Sequence, residues 1–187
     1  MKELSMKYYR YHPDANNFMG IHLLHQDHEV IDIRLEPLPL LHSWRPIQVE
    51  EGDENPRPNG DFPSLSNYNE IPVVTQQAWD VLRPLIGASC EALPIIHPSG
   101  EPFYLIHVMS IIDCLDTKRS RLTRSGIDGR INRISRYGFK REMLNGQHII
   151  KLPFGKGSDL LVDDVFRKAV EENGLRGLIF NELPLTI

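Results

Sequence analysis

The chain has 187 residues, of which 41% are hydrophobic and 25% charged, and a formal net charge of −4. That length lets one domain bury a core without staples, roughly 70% of the unfolded surface for a chain of this size, and two cysteines, Cys90 and Cys114, exclude a disulfide framework. No apolar run approaches the roughly 20 residues of a membrane-spanning helix, and Met1–Ser5 lacks the apolar core of a secretory signal; the expectation is a cytoplasmic protein whose cysteines are buried small hydrophobes in a reducing compartment.

Fourteen prolines and thirteen glycines point to short strands, many turns and few long helices. Residues 6–12 are aromatic-rich (Tyr8, Tyr9, Tyr11) and run into Pro13-Asp14, which reads as a strand and a turn. Two further short strands are expected over 19–25 and 28–35. In the second, Ile31, Ile33 and Leu35 alternate with Asp32 and Arg34, the period-2 pattern of a half-buried strand. From Pro37 to Pro63 the chain holds six prolines and the acidic run Glu50-Glu51-Gly52-Asp53-Glu54. Proline removes a backbone donor and fixes φ, so this stretch is expected to be a long surface loop, ordered at Trp44 and mobile around 50–60.

Order returns at Ile71-Pro72-Val73-Val74. Thr75 is a candidate N-cap for a helix over 76–86, whose apolar stripe is Ala78, Val81, Leu82 and Leu85, thickened by Trp79. Pro84 should loosen its last turn and Gly87 should stop it. Strands are expected at Cys90–Ile96 and Phe103–Ile112, with a third between Arg130 and Lys140 that pairs with His148–Leu152 across Asn145-Gly146. Asp163 is a candidate cap for a helix over 164–173, with Val162, Phe166, Ala169 and Val170 as its apolar stripe, Gly174 as its left-handed stop, and Gly177–Leu183 as a closing strand. These elements define an α+β fold: a mixed or antiparallel sheet with a few short helices and a long irregular N-terminal loop. One domain over 1–187 is expected, with an N-terminal part over 1–69 and a core over 70–187.

Candidate chemistry is sparse. His22, His25 and His28 are spaced like ligands, but on a strand His22 and His28 share a face while His25 points away. Neither a Cys pair nor a His-Glu-x-x-His arrangement completes a zinc site, so neither a metal nor a cofactor is expected. Cys114 lies beside Asp113 and near His107. A nucleophilic thiol needs a base and surroundings that lower its pKa, whereas the neighbours Ile112 and Leu115 fit a structural cysteine; a hydrolase-like site of His107, Asp113 and Cys114 is the rival reading. Residues 154–158, Phe-Gly-Lys-Gly-Ser, share only composition with a phosphate loop, and a turn suffices.

Charge is the informative feature. Between Lys118 and Arg141 stand nine Lys or Arg and one acid, Asp128. That window carries a net +8, so the rest of the chain carries −12 against the overall −4. The bland reading is a solvated hairpin balanced by the acidic remainder. A second reading is a patch for an acidic protein partner. A third, nucleic-acid binding, needs aromatic platforms, for which Tyr137 and Phe139 are available, and a basic domain, against which the sequence pI near 6.1 argues. The acidic run at 50–54 is either solvated or complementary to a basic partner.

The ordered series Ala78-Trp79-Asp80-Val81-Leu82, Cys90–Ile95, Phe103–Val108, Asp113-Cys114-Leu115-Asp116, Leu160–Phe166 and Gly174–Phe180 resembles a bacterial family of immunity proteins from polymorphic toxin systems, over roughly residues 70–183. The resemblance implies an α+β fold, no assigned catalytic residues, and stoichiometric binding that neutralises a cognate toxin. It does not extend to residues 1–69. From residue type and expected exposure, the candidate contacts are Trp44, Tyr68, the acids Glu50, Glu51, Asp53 and Glu54, and the arginines Arg119, Arg121 and Arg124. A membrane partner is not expected, nucleic acid is disfavoured, and self-association stays open.

Overall fold

A computed structural model describes residues 7–24, 37–52, 56–144, 146–153 and 160–185. In chain order the strands are β1 (Tyr8–Arg10), β2 (Ile21–Leu23), β3 (Ile47–Glu51), β4 (Val73–Thr75), β5 (Cys90–Ile96), β6 (Phe103–Val108), β7 (Arg121–Arg124), β8 (Ile131–Arg136), β9 (Ile149–Lys151) and β10 (Leu160–Asp163). Helix α1 (Gln76–Ile86) follows β4, and α2 (Asp164–Glu172) follows β10. The strands form a five-stranded sheet of order β2-β3-β5-β6-β4, a three-stranded sheet β1-β10-β9, and the separate hairpin β7-β8. Among the strand pairs of the described residues, β3 with β5 is the parallel one. The fold is α+β with mixed and antiparallel sheets.

Strand alternation sorts the side chains into three cores. On β6, Ile106 and Val108 point toward the helices, and Phe103 and Leu105 point the other way. The first core fills the space between the two larger sheets and the helices: Tyr9, Val74, Leu82, Ile106, Val162 and Phe166 meet there. The second lies on the outer face of the five-stranded sheet, where Ile47, Val49, Leu65, Leu93 and Leu105 are buried. The third covers the far face of the three-stranded sheet with Tyr8, Cys114, Leu115, Tyr137, Ile150 and Leu161. Each large apolar side chain so buried contributes about 1.5–3 kcal/mol relative to exposure.

Past β6 the chain crosses to the other sheet. Lys151 N donates to Ser110 O and Ile112 N to Lys151 O, both at 3.0 Å. β9 is thereby paired on both edges, by β10 and by residues 110–112. This explains why all three of its residues are buried.

Local signals held where one physical device decided the structure. Helix α1 spans 76–86 as read from its stripe, and Thr75 Oγ1 accepts from Ala78 N at 3.2 Å. Gly174 takes φ +65° after α2, the left-handed stop. Gly87 works differently from a left-handed cap: its φ is −63°, and a Cβ there would lie 2.6 Å from Arg83 O, so close packing demands the glycine.

Three expectations are corrected. Residues 37–63 contain a strand: β3 lies inside the five-stranded sheet, between β2 and β5. Pro46 and Pro56 bracket a proline-free window in which Ile47 and Val49 alternate with Gln48 and Glu50, enough to build it. The strand between Arg130 and Lys140 pairs with β7, and not with His148–Leu152. Segment 177–183 makes only isolated bridges, Leu178 to Pro13 and Glu182 to Tyr9. The strand expected over 28–35 and the loop over 154–158 lie outside the described residues.

Candidate interaction surface

The Pro-rich segment is clasped to the outer face of the five-stranded sheet. Glu91 on β5 and His107 on β6 are cross-strand partners. The Glu91 carboxylate accepts from Leu40 N at 2.7 Å and Leu41 N at 3.2 Å. His107 Nε2 lies 2.9 Å from Leu38 O; a carbonyl only accepts, so this nitrogen carries the proton. Trp44 Nε1 donates to Pro94 O at 2.8 Å. Trp44 and Tyr68 are half-buried against the second core. Both expose part of a ring while the remainder fastens a loop.

Glu50 and Glu51 stand exposed on β3. Glu50 lies 3.4 Å from His22 Nε2 on β2, and Glu51 lies 3.8 Å from His97 Nε2. They are therefore fixed on an inner strand of the sheet and not on a free loop. Asp53, Glu54, His25 and His28 lie outside the described residues.

The trio His107, Asp113 and Cys114 does not converge. His107 is fully buried on the face of the second core and bonded to the clasped loop. Cys114 is sealed in the third core, where burial pushes its thiol up to about 11. Asp113 is exposed, 3.8 Å from Lys140 Nζ. A nucleophile needs its base within hydrogen-bond reach and a lowered pKa, and both conditions fail here. Cys90 is likewise buried and pushed up to about 12.

The basic segment forms the best-defined exposed feature. At its base, the Asp116 carboxylate accepts from Lys118 N and Arg119 N at 3.0 and 3.3 Å, and Ser120 Oγ donates to Asp116 O at 2.7 Å. Gly138 packs against Arg119 so closely that a Cβ would lie 2.6 Å from the arginine Cβ. Tyr137 N donates to Pro184 O. One face of the hairpin is apolar, with Ile134 buried and Leu122 and Ile131 half-buried on the third core. The other face is basic: Arg121 pairs directly with Arg136, and Thr123 with Arg133, across two register shifts that re-aim the side chains. Arg124 donates to Gly129 O. Among the described residues, Arg121, Arg133 and Arg136 have no acidic partner, and Asp128 pairs with Arg130 at 3.0 Å.

Arg133 and Arg136 were missed as candidate contacts. Asp128-Gly129, with Gly129 at φ +70°, is a hairpin signal as strong as Asn145-Gly146. It folds these two arginines back beside Arg121. Tyr137 and Phe139, the candidate stacking platforms, are buried in the third core.

A cleft of about 770 Å³ also opens at the start of α1, between Asp61, Gln76, Asp80, Glu101 and Arg176. Asp61 at its wall is already committed: its carboxylate accepts from Thr75 Oγ1 and from Arg176 N, at 3.1 and 2.8 Å. These bonds tie the C-terminal segment to the helix start.

The fold and surface thus define a small α+β protein with an exposed arginine face, in which His107, Asp113 and Cys114 stand apart. Residues 96–184 match the model of an immunity protein family (Imm11), just under half of the chain. The match begins at Ile96, so it covers the hairpin, β9, β10 and α2 but not α1 or most of β5. It points to an immunity function. No curated protein matches the chain. Among the described residues, no helix is long and apolar enough to cross a membrane.

Proposed function

We propose that this protein is a cytoplasmic immunity protein that neutralises a cognate bacterial toxin by stoichiometric binding, without catalysis. The match of residues 96–184 to an immunity family carries the reading. The burial of Cys114 away from His107 supports the non-catalytic part. A binder of this kind works by covering an active site or an essential surface, with an interface of about 1,200–2,000 Å² in which a few aromatic or arginine side chains dominate. Trp44, Tyr68, Glu50, Glu51, Asp53, Glu54, Arg119, Arg121 and Arg124 are the candidate contacts, and Arg133 and Arg136 join them by position.

The test is co-expression of this chain with the product of the gene adjacent to its own, scoring growth and co-purification. Growth rescue with a stable complex of defined stoichiometry is expected. Rescue without a complex would mean an enzymatic antidote, and absence of both would remove the immunity reading.

A further inference from the structure

We infer that the basic face of the β7–β8 hairpin is the docking element, and that the partner surface it fits is an acidic patch on a folded protein. The inference rests on the immunity reading above and specifies which surface serves it.

Four observations carry it. The first is an unfavourable arrangement. Arg121 and Arg136 stand directly opposite one another, and like charges so placed destabilise a strand pair. Outside residues 118–141 the chain has acids in excess, yet among the described residues none is placed against Arg121, Arg133 or Arg136. A solvated face would spread these charges or pair them. A face that meets an acidic partner would keep them together.

The second is rigidity. Asp128 accepts from Arg130 N at 3.2 Å, Ser125 Oγ accepts from Ile127 N at 3.2 Å, and Gly129 N donates to Ser125 O at 3.1 Å. With Ile134 buried beneath and the base held by Asp116 and Ser120, the hairpin is ordered before binding. Association therefore costs little ordering entropy.

The third is the tip. Ile127 is 100% exposed there. A single exposed apolar side chain is unremarkable alone. At the end of an ordered basic hairpin it is placed to enter a pocket inside an acidic surface, the hydrophobic centre that a charged rim surrounds.

The fourth argues against single-stranded nucleic acid as the partner. Single-stranded nucleic acid binds through aromatic platforms interleaved with cations. Tyr137 and Phe139 are the aromatics beside these arginines, and both are buried beneath the hairpin. The exposed face offers guanidinium groups and Ile127, a chemistry suited to carboxylates around an apolar pocket.

The experiment uses the full chain and the adjacent-gene product, with a 20-bp duplex DNA as a second probe, and measures association rate against salt. Four proteins are compared: wild type, Arg121→Gln/Arg133→Gln/Arg136→Gln, Ile127→Asp, and Arg45→Gln/Arg83→Gln, whose exposed arginines lie outside the hairpin. The triple variant is expected to associate about tenfold more slowly, with a flatter salt dependence, and the Arg45/Arg83 variant to match wild type. Ile127→Asp is expected to shorten the lifetime of the complex. Removing the Arg121–Arg136 repulsion is expected to leave the triple variant's melting temperature unchanged or raised, so a slower rate would not reflect misfolding. A triple variant that associates like wild type would overturn the hairpin as docking element while leaving the immunity reading intact. Equal slowing in the Arg45/Arg83 variant would reduce the effect to net charge and overturn it too. Duplex DNA binding with the same arginine dependence would replace the acidic protein by nucleic acid. A wild-type chain that neither binds nor rescues would remove both readings.

Discussion

His97 follows directly after the last residue of β5 and yet is almost sealed, its side chain only 3% exposed. Its ring stacks on Phe103 with centroids 4.3 Å apart, and Nδ1 accepts from Ser99 N at 3.2 Å. Burial lowers its pKa below the usual 6.5, and Glu51 opposes the shift. The folded protein therefore resists a proton that the unfolded chain accepts near pH 6.5. Its stabilising contribution is complete above that value and is lost as pH falls through the lowered folded value. Urea midpoints at pH 7 and pH 5 should fall further apart in wild type than in His97→Gln; equal slopes would show that His97 does not drive the acid sensitivity. A second residue stores a simpler cost. The hydroxyl of Tyr11 is buried with no hydrogen-bond partner among the described residues, and leaving such a group unpaired costs about 1–3 kcal/mol. Tyr11→Phe removes the hydroxyl and keeps the ring, so it should raise stability by about 1 kcal/mol in denaturant titration.

At the scale of elements, the clasped segment 37–46 shows how a proline-rich stretch without regular structure is held. Two backbone donors end on one carboxylate, Glu91, and hydrogen bonds to charged groups are worth about 1.5–3 kcal/mol each way they are lost. Glu91→Ala should destabilise by about 2 kcal/mol and open residues 37–46 to limited proteolysis, with Trp44 emission shifting to the red. An unchanged cleavage pattern would mean that Trp44 and His107 suffice. Glu91 also marks the boundary of what was legible. Helix α1, its Thr75 cap, strand β5 and the Gly174 stop rest on contacts within a few residues, and their signals were readable in order. The clasp joins positions 50 or more residues apart, and no local pattern encodes it. The same holds for the basic site. Arg121 and Arg124 stood out by type, while Arg133 and Arg136 needed the turn at Asp128-Gly129 to be weighed against Asn145-Gly146. Two similar hairpin signals competed, and the winner was set by Ile149 and Ile150, which are buried on both faces and belong inside a sheet.

For the whole molecule, strands inside the family match pair with strands outside it. β6, inside it, pairs with β5 and β4 from outside it, and β10 pairs with β1 from the start of the chain. The two tryptophans report on different cores, Trp79 on the first and Trp44 on the second. Because shared strands link those cores, equilibrium unfolding should be one cooperative transition. Midpoints from Trp44→Phe and Trp79→Phe variants, followed by fluorescence, should agree with far-UV circular dichroism. Two resolved midpoints would show that the outer face unfolds on its own.

The pairing of β1 with β10 has a consequence for biosynthesis. Tyr9 is synthesised well before the residue to which its hydroxyl donates, Asp164, 155 positions later. Until β10 has emerged, β1 lacks the strand it pairs with. Pairings this distant in sequence are slow to form, because chain closure must precede the reward. The three-stranded sheet, and the third core behind it, can thus be completed only once residues 160–163 have been made. A nascent chain halted before residue 160 would carry an unpaired tyrosine-rich strand, and its pairing would begin only with β10.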